Sequence, residues 1–177
     1  MDFGAKVIRT SSKCKNGTER CAEAVSNARL EAEIIVNFQG DAPLTPSWFV
    51  EEIIASLKAD KSTDMATPVL RLDRKSYNLF FEDRKSDRVG GTTVVFDKAM
   101  YALYFSKELI PFFEISKIEQ DMPIPCYHHV GVYAYRKNIL REYLSWPESN
   151  LEKLEGLEQL RFLSENKKVK CVEVSSR

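Results

Sequence analysis

The chain has no excess of charge: 26 Lys and Arg residues balance 26 Asp and Glu residues over a length of 177. That balance leaves no electrostatic footprint for nucleic acid or an anionic membrane surface. Long apolar runs are absent too, and none reaches the length that spans a bilayer. Cysteine is sparse. Cys14, Cys21, Cys126 and Cys171 form no close C-x-x-C pair, which argues against zinc. Their scatter suits reduced thiols in a cytosol better than a disulfide framework. Met1-Asp2-Phe3-Gly4 opens no apolar signal region, so no secretory signal is expected. What is present is an ordinary apolar content of 44%, which suits a folded chain rather than a disordered one. The length suits one domain over residues 1–177 with a core of its own. The expectation is a cytoplasmic globular domain.

The most telling run is Ile34-Ile35-Val36-Asn37-Phe38-Gln39-Gly40-Asp41, with Pro43 and Pro46 after it. An apolar strand over residues 33–38 ends there abruptly. In open α/β sheets, ligands bind just beyond the carboxyl ends of strands. A carboxylate at that point, after a Gly, is placed to hold magnesium on a nucleotide phosphate. The plainer reading of Asp41 is a turn residue, because Gly-Asp before Pro is common turn chemistry.

Around this run the chain alternates between strand and helix patterns. Residues 5–9 read as a short strand and residues 10–17 as a polar loop. Asn16 with Glu19 resembles a capping box, followed by the helical stripe Cys21, Ala22, Val25 and Ala28. Thr45 and Pro46 read as the N-cap and first residue of a second helix, whose face is Phe49, Val50, Ile53, Ile54 and Leu57. A strand over 64–70, a short helix over 73–82 and a charged loop over 83–88 follow. Gly90-Gly91 then marks a turn before a β-branched strand over 92–96, which pairs as a hairpin with a strand over 101–105. Residues 112–125 look irregular. Residues 129–135 alternate as one strand, and 138–144 form a short helix. Leu151, Leu154, Leu157, Leu160 and Leu163 recur every three residues. On one ideal helix that stripe drifts by about 60° per step. The stretch is therefore two helices broken near Gly156, or one helix buried on several sides. Residues 169–174 are a final strand. The alternation predicts an α/β fold with an inserted antiparallel hairpin.

Candidate site residues each carry a plain and a functional reading. Gly17-Thr18-Glu19-Arg20 opens a helix, and ordinary capping accounts for Glu19. Free helix N–H groups, Thr18 and Arg20 also suit an anionic or nucleotide ligand. Gln39 binds a ligand or caps a neighbouring loop. His128 and His129 are the only histidines. As neighbours in a strand they point to opposite faces and cannot share one metal. His129 is then a core residue or a donor to a substrate anion, with Gly131 and Tyr133 on the same side. Glu158-Gln159 lies in the leucine-rich stretch, as a solvated face or as a site. Lys107, after Tyr104-Phe105-Ser106, is an exposed lysine or a cation for a ligand.

Five motifs, taken in order, resemble the 3-deoxy-manno-octulosonate cytidylyltransferase family, which makes CMP-Kdo. They are Asn16-Gly17-Thr18-Glu19-Arg20, Val36-Asn37-Phe38-Gln39-Gly40-Asp41-Ala42-Pro43, Tyr101-Ala102-Leu103-Tyr104-Phe105-Ser106-Lys107, His129-Val130-Gly131-Val132-Tyr133-Ala134-Tyr135-Arg136 and Leu157-Glu158-Gln159-Leu160-Arg161. The resemblance implies a three-layer nucleotidyltransferase fold with a mixed sheet. It implies transfer of CMP from CTP to the anomeric hydroxyl of a 2-keto-3-deoxy sugar acid, for lipopolysaccharide synthesis. Asp41 matches the family's magnesium-binding Asp. Gln39, Lys107, His129, Tyr133, Glu158 and Gln159 match its sugar-acid pocket, and Gly17, Thr18, Glu19 and Arg20 match a segment near the nucleotide. A homodimer using the 92–105 hairpin is implied as well.

The chain departs from the family pattern in several places. The family's first strand with its phosphate-cradling loop, and a later segment with a second metal-binding Asp, have no counterpart in this sequence. Both ends of the fold are therefore expected to be missing, and weak or absent activity for the chain alone follows from that. Ala42 stands where an acidic residue is usual, Cys14 and Asn16 where His and Ser are usual, and Lys107 where Arg is common. The last change removes bidentate carboxylate recognition. The run Gly90-Gly91-Thr92-Thr93-Val94-Val95 resembles relatives that activate the 8-amino sugar, which makes that sugar an alternative substrate. A catalytically silent sugar-acid-binding module is a second alternative.

Overall fold

A computed structural model describes residues 4–40, 42–120 and 122–175. Its seven strands among the described residues are β1 (Ile34–Phe38), β2 (Met65–Arg71), β3 (Thr92–Phe96), β4 (Ala102–Ser106), β5 (Tyr127–His129), β6 (Val132–Arg136) and β7 (Val169–Glu173). The α-helices are α1 (Gly17–Asn27), α2 (Ser47–Ala59), α3 (Arg74–Lys85), α4 (Lys137–Tyr143), α5 (Asn150–Glu155) and α6 (Leu160–Ser164). The strands form one mixed sheet in the order β1-β6-β2-β5-β3-β4. β7 runs parallel along the other edge of β2, and the remaining pairings are antiparallel. The expected hairpin is β3–β4.

Strand alternation sorts the sheet into two apolar faces. Ala66, Val132 and Ala134 pack with Ile53 and Leu57 of α2 on one face. Ile35, Met65, Val69, Tyr133, Tyr135, Val169 and Cys171 face α1, α4 and α6 on the other. Helix, sheet and helix thus make three layers. A separate cluster of Leu72, Tyr77, Ile124 and Cys126 seats α3 against the irregular stretch before β5. No helix among the described residues is long and apolar enough to cross a membrane.

Several sequence expectations need correction. Residues 5–9 form irregular chain, with Val7 exposed, because no strand among the described residues pairs with them. α2 begins at Ser47 with Pro46 as its N-cap. Thr45 cannot cap it because its hydroxyl donates to the Ala42 carbonyl in the preceding turn, at 2.9 Å. α3 runs on to Lys85, into the segment read as charged loop. The single strand over 129–135 is two strands. Opposite the break lies Pro68 of β2, which has no N–H to give the ladder. The register against β2 shifts there, from Val69↔His129 to Ala66↔Ala134. Thr67 Oγ1 fills the gap, lying 3.2 Å from the Val130 carbonyl and 3.0 Å from that of Val132. The leucine repeat does divide into two helices. Gly156 ends α5 in the left-handed region at φ 63°, where a residue without Cβ is favoured.

Candidate active site

α1 begins against the carboxyl end of β1. Asn16 caps the helix, its Oδ1 accepting the Glu19 N–H at 2.8 Å. Residue Gly17 has to be small. A Cβ there would lie 3.0 Å from Gln39 Nε2 and 3.5 Å from both Asn37 Nδ2 and Glu158 Oε1. Ile35, Asn37 and Gln39 share a face by the two-residue strand period, so the strand delivers two amides beneath the helix start.

The other wall is the corner between α5 and α6. Glu158 accepts the Thr18 N–H through Oε2 at 3.0 Å and the Gln39 Nε2–H through Oε1 at 3.2 Å. A free helix N–H is thereby met by a carboxylate, which the helix dipole favours. Burial pushes the Glu158 carboxyl upward, and the bonds from Thr18 and Gln39 pull it back. Thr18 Oγ1 and the Tyr135 hydroxyl share a 2.9 Å hydrogen bond beneath this contact. Gln159 is 2% exposed, with Oε1 3.5 Å from the Tyr133 hydroxyl. One amide nitrogen here, Gln159 Nε2, is buried without a hydrogen-bond partner among the described residues, while the Asn37 amide faces the Tyr135 hydroxyl. Such groups are costly unless something meets them.

Lys107 approaches from the end of β4. Glu155 holds the backbone there by accepting the Lys107 N–H at 2.9 Å and the Ser106 Oγ–H at 2.7 Å. The Lys107 ammonium sits 3.0 Å from where a Gly156 Cβ would be. Among the described residues it has no ion pair. It is a cation left over at the cleft.

The structure therefore gathers Gly17, Thr18, Gln39, Glu158 and Gln159, with Tyr133 and Lys107 at the margins. His129 reaches the same region, its ring centroid 5.5 Å from that of Tyr133, but it is 3% exposed. Both ring nitrogens are engaged: Nε2 lies 3.0 Å from Thr67 Oγ1 and Nδ1 lies 3.0 Å from Thr92 Oγ1. Because the Thr67 hydroxyl points its proton at backbone carbonyls, its oxygen accepts from Nε2–H, and Nδ1 accepts from Thr92. Burial lowers the His129 pKa to about 3, so the ring is neutral. An anionic ligand would have to displace Thr92 to reach it. Glu19 and Arg20 turn away from Glu158. Glu19 pairs with Arg161 at 3.3 Å, while Arg20 Nη1 donates to Thr10 Oγ1 at 2.7 Å. Arg20 still lines a 540 Å³ groove with Gly17, Cys21, Asn37 and Gln39. Asp41 lies outside the described residues. Among those described, no group of three or more His, Cys, Asp or Glu residues could hold a metal ion. Asn37 was not singled out from the sequence, although its place two residues before Gln39 was a signal for it.

A family model described as Cytidylyltransferase matches residues 1–169. The chain belongs to the cytidylyltransferase family. It is 39% identical over 169 residues to the 3-deoxy-manno-octulosonate cytidylyltransferase of Maricaulis maris (strain MCS10), covering 96% of this chain and 64% of that protein. It is 38% identical over 169 residues to the enzyme of the same name from Chlamydia trachomatis serovar L2, covering 96% of this chain and 61% of that one. A solved structure of CMP:2-keto-3-deoxy-manno-octonic acid synthetase complexed with CTP superposes with a TM-score of 0.80 at 30% identity, covering 99% of this chain and 66% of that one. This cytidylyltransferase-family chain thus spans 61–66% of the length of these three relatives.

Proposed function

We propose that the cleft between α1, β1 and the α5–α6 corner binds a 2-keto-3-deoxy sugar acid, and that the chain serves cytidylyl transfer to it from CTP. The observation that carries this reading is the set of unmet donors in the cleft: Gln159 Nε2 and the Lys107 ammonium, which has no ion pair among the described residues. A sugar carboxylate and its neighbouring hydroxyls are acceptors of the kind this set lacks. Glu158 supplies the complementary acceptor for sugar hydroxyls. In the reaction, the anomeric hydroxyl attacks the α-phosphorus of CTP, the bond to pyrophosphate breaks in line, and the hydroxyl proton passes to solvent. The chain's residues orient the sugar so that this attack is close to unimolecular. By family resemblance Asp41 would hold magnesium, and the ion would supply charge neutralisation on the CTP phosphates. Gly17 to Arg20 stand on the nucleotide side. The setting is the cytoplasm, for lipopolysaccharide synthesis. The β3–β4 hairpin, with Leu103 exposed on β4, suits a homodimer contact; elution as a monomer on gel filtration would remove that part.

The test is pyrophosphate release from CTP, magnesium and 3-deoxy-manno-octulosonate, with calorimetry of each ligand alongside. Turnover supports the reading. Binding of the sugar acid without turnover supports the silent binding module instead, and absence of both sinks it. A parallel arm with the 8-amino sugar is warranted because Thr92, in the Gly-Thr-Thr run, touches His129 next to Tyr133. Preference for the amino sugar would make it the substrate.

A further inference from the structure

One buried arginine joins the two walls of the cleft. Arg161 lies on α6, three residues after Glu158, and its side chain is 3% exposed. Its Nε donates to Glu152 Oε2 at 2.8 Å, and its Nη2 donates to Glu152 Oε1 at 2.6 Å. The third arm, Nη1, donates to Glu19 Oε1 at 3.3 Å. The guanidinium also lies 4.2 Å above the ring of Tyr143. The Tyr143 hydroxyl accepts from Asn16 Nδ2 at 3.0 Å, and Glu19 Oε2 accepts the Lys15 N–H at 2.8 Å. One side chain therefore ties α5, α6 and α4 to the cap of α1.

Stability alone is a poor reason for such an arrangement. A buried ion pair often does no better than apolar residues of similar volume, because both charges lose their hydration. The placement is more informative. The ends of this network are the first turn of α1 and the α5–α6 corner, the two elements that meet where Thr18 N–H donates to Glu158. A forked guanidinium fixes that spacing in a way a single-point cation cannot.

We propose that Arg161 is a positioning residue: it holds the first turn of α1 in register with Glu158 and Gln159, so that the cleft is organised before ligand arrives. The ligand in this statement rests on the sugar-acid reading above; the coupling between the two walls does not. The test uses the double variant Glu152→Gln/Arg161→Met, which removes both charges and keeps a side chain able to complete the capping box with Ser149. The thermal midpoint is expected to stay near that of the parent. Amide exchange at Thr18 and Glu19 is expected to speed up by about tenfold, and sugar-acid affinity to fall by about tenfold. Glu19→Gln takes the charge off the link to α1 and leaves one acceptor for Arg161 Nη1 and the Lys15 N–H; it should accelerate the same two amides while the Glu152–Arg161 pair stays in place. Unchanged exchange at Thr18 in both variants overturns the proposal, and so does loss of protection spread evenly over the whole chain. If the parent binds no sugar acid, the ligand reading fails by itself, and the exchange comparison still decides the coupling.

Discussion

Glu158 and His129 are both buried ionisable groups, and their pH signatures run in opposite directions. Burial raises the Glu158 carboxyl above its ordinary value of 4.5. The folded chain then holds that proton more tightly than the unfolded chain. Its contribution to stability is complete below about pH 4.5 and is lost as pH rises through the folded value. The parent should therefore lose stability as pH rises from about 4.5 towards neutrality, a slope that Glu158→Gln should lack; urea unfolding across that range measures it. Equal slopes in the two proteins would contradict the assignment. For His129 the pKa falls from 6.5 to about 3, again through burial. Here the unfolded state binds the proton first, so stability drops as pH falls from 6.5 towards 3. The imidazole signals of His129 should stay flat between pH 8 and pH 5 in an NMR titration, and a midpoint near 6.5 would refute its burial between the two threonines. The sequence left His129 as either a core residue or a donor to a substrate anion, and the occupation of both its nitrogens was not legible there. Thr67 and Thr92 come from distant strands, and only sheet pairing brings them to the ring.

Among the elements, the α5–α6 corner carries most of the site's geometry. Gly156 closes α5 in the left-handed region, and the Lys107 ammonium occupies the space where a side chain would project. Gly156→Ala is expected to cost about 1 kcal/mol from the backbone conformation alone. It should also push the lysine aside and weaken sugar-acid binding. Chemical denaturation gives the first effect and calorimetry the second. Lys107→Ala should show the second without the first, and a stability loss as large as that of Gly156→Ala would mean that the lysine is structural. The three-residue leucine spacing and Gly156 announced this corner in the sequence. The break between β5 and β6 was not read from the sequence, although Pro68 inside an apolar strand was a signal for it. Yet the proline acts on a strand more than 60 residues away, where local alternation looks continuous.

For the whole molecule, three layers bring α1, β1 and α6 together, so a ligand in the cleft braces parts of the chain far apart in sequence. Sugar acid at 100 times its dissociation constant should raise stability by about 2.7 kcal/mol. For a chain of this size that is about 5–10 °C in thermal midpoint. Scanning calorimetry with and without ligand checks it, and an unchanged midpoint at saturating ligand would count against the cleft as the binding site. The sequence by itself determined most of the alternation of elements, the hairpin and the order of the family motifs, and narrowed the leucine-rich stretch to two alternatives, because hydrophobic period and turn chemistry are local. It also pointed to Gln39 and Glu158-Gln159 as one pocket through the family likeness. Only the tertiary structure decided that Glu158 meets the Thr18 N–H of α1, that Gln159 keeps an unmet donor, and that Arg161 links the two walls. Those facts depend on which distant side chains share a buried volume, and burial sets the cost of an unpaired polar group.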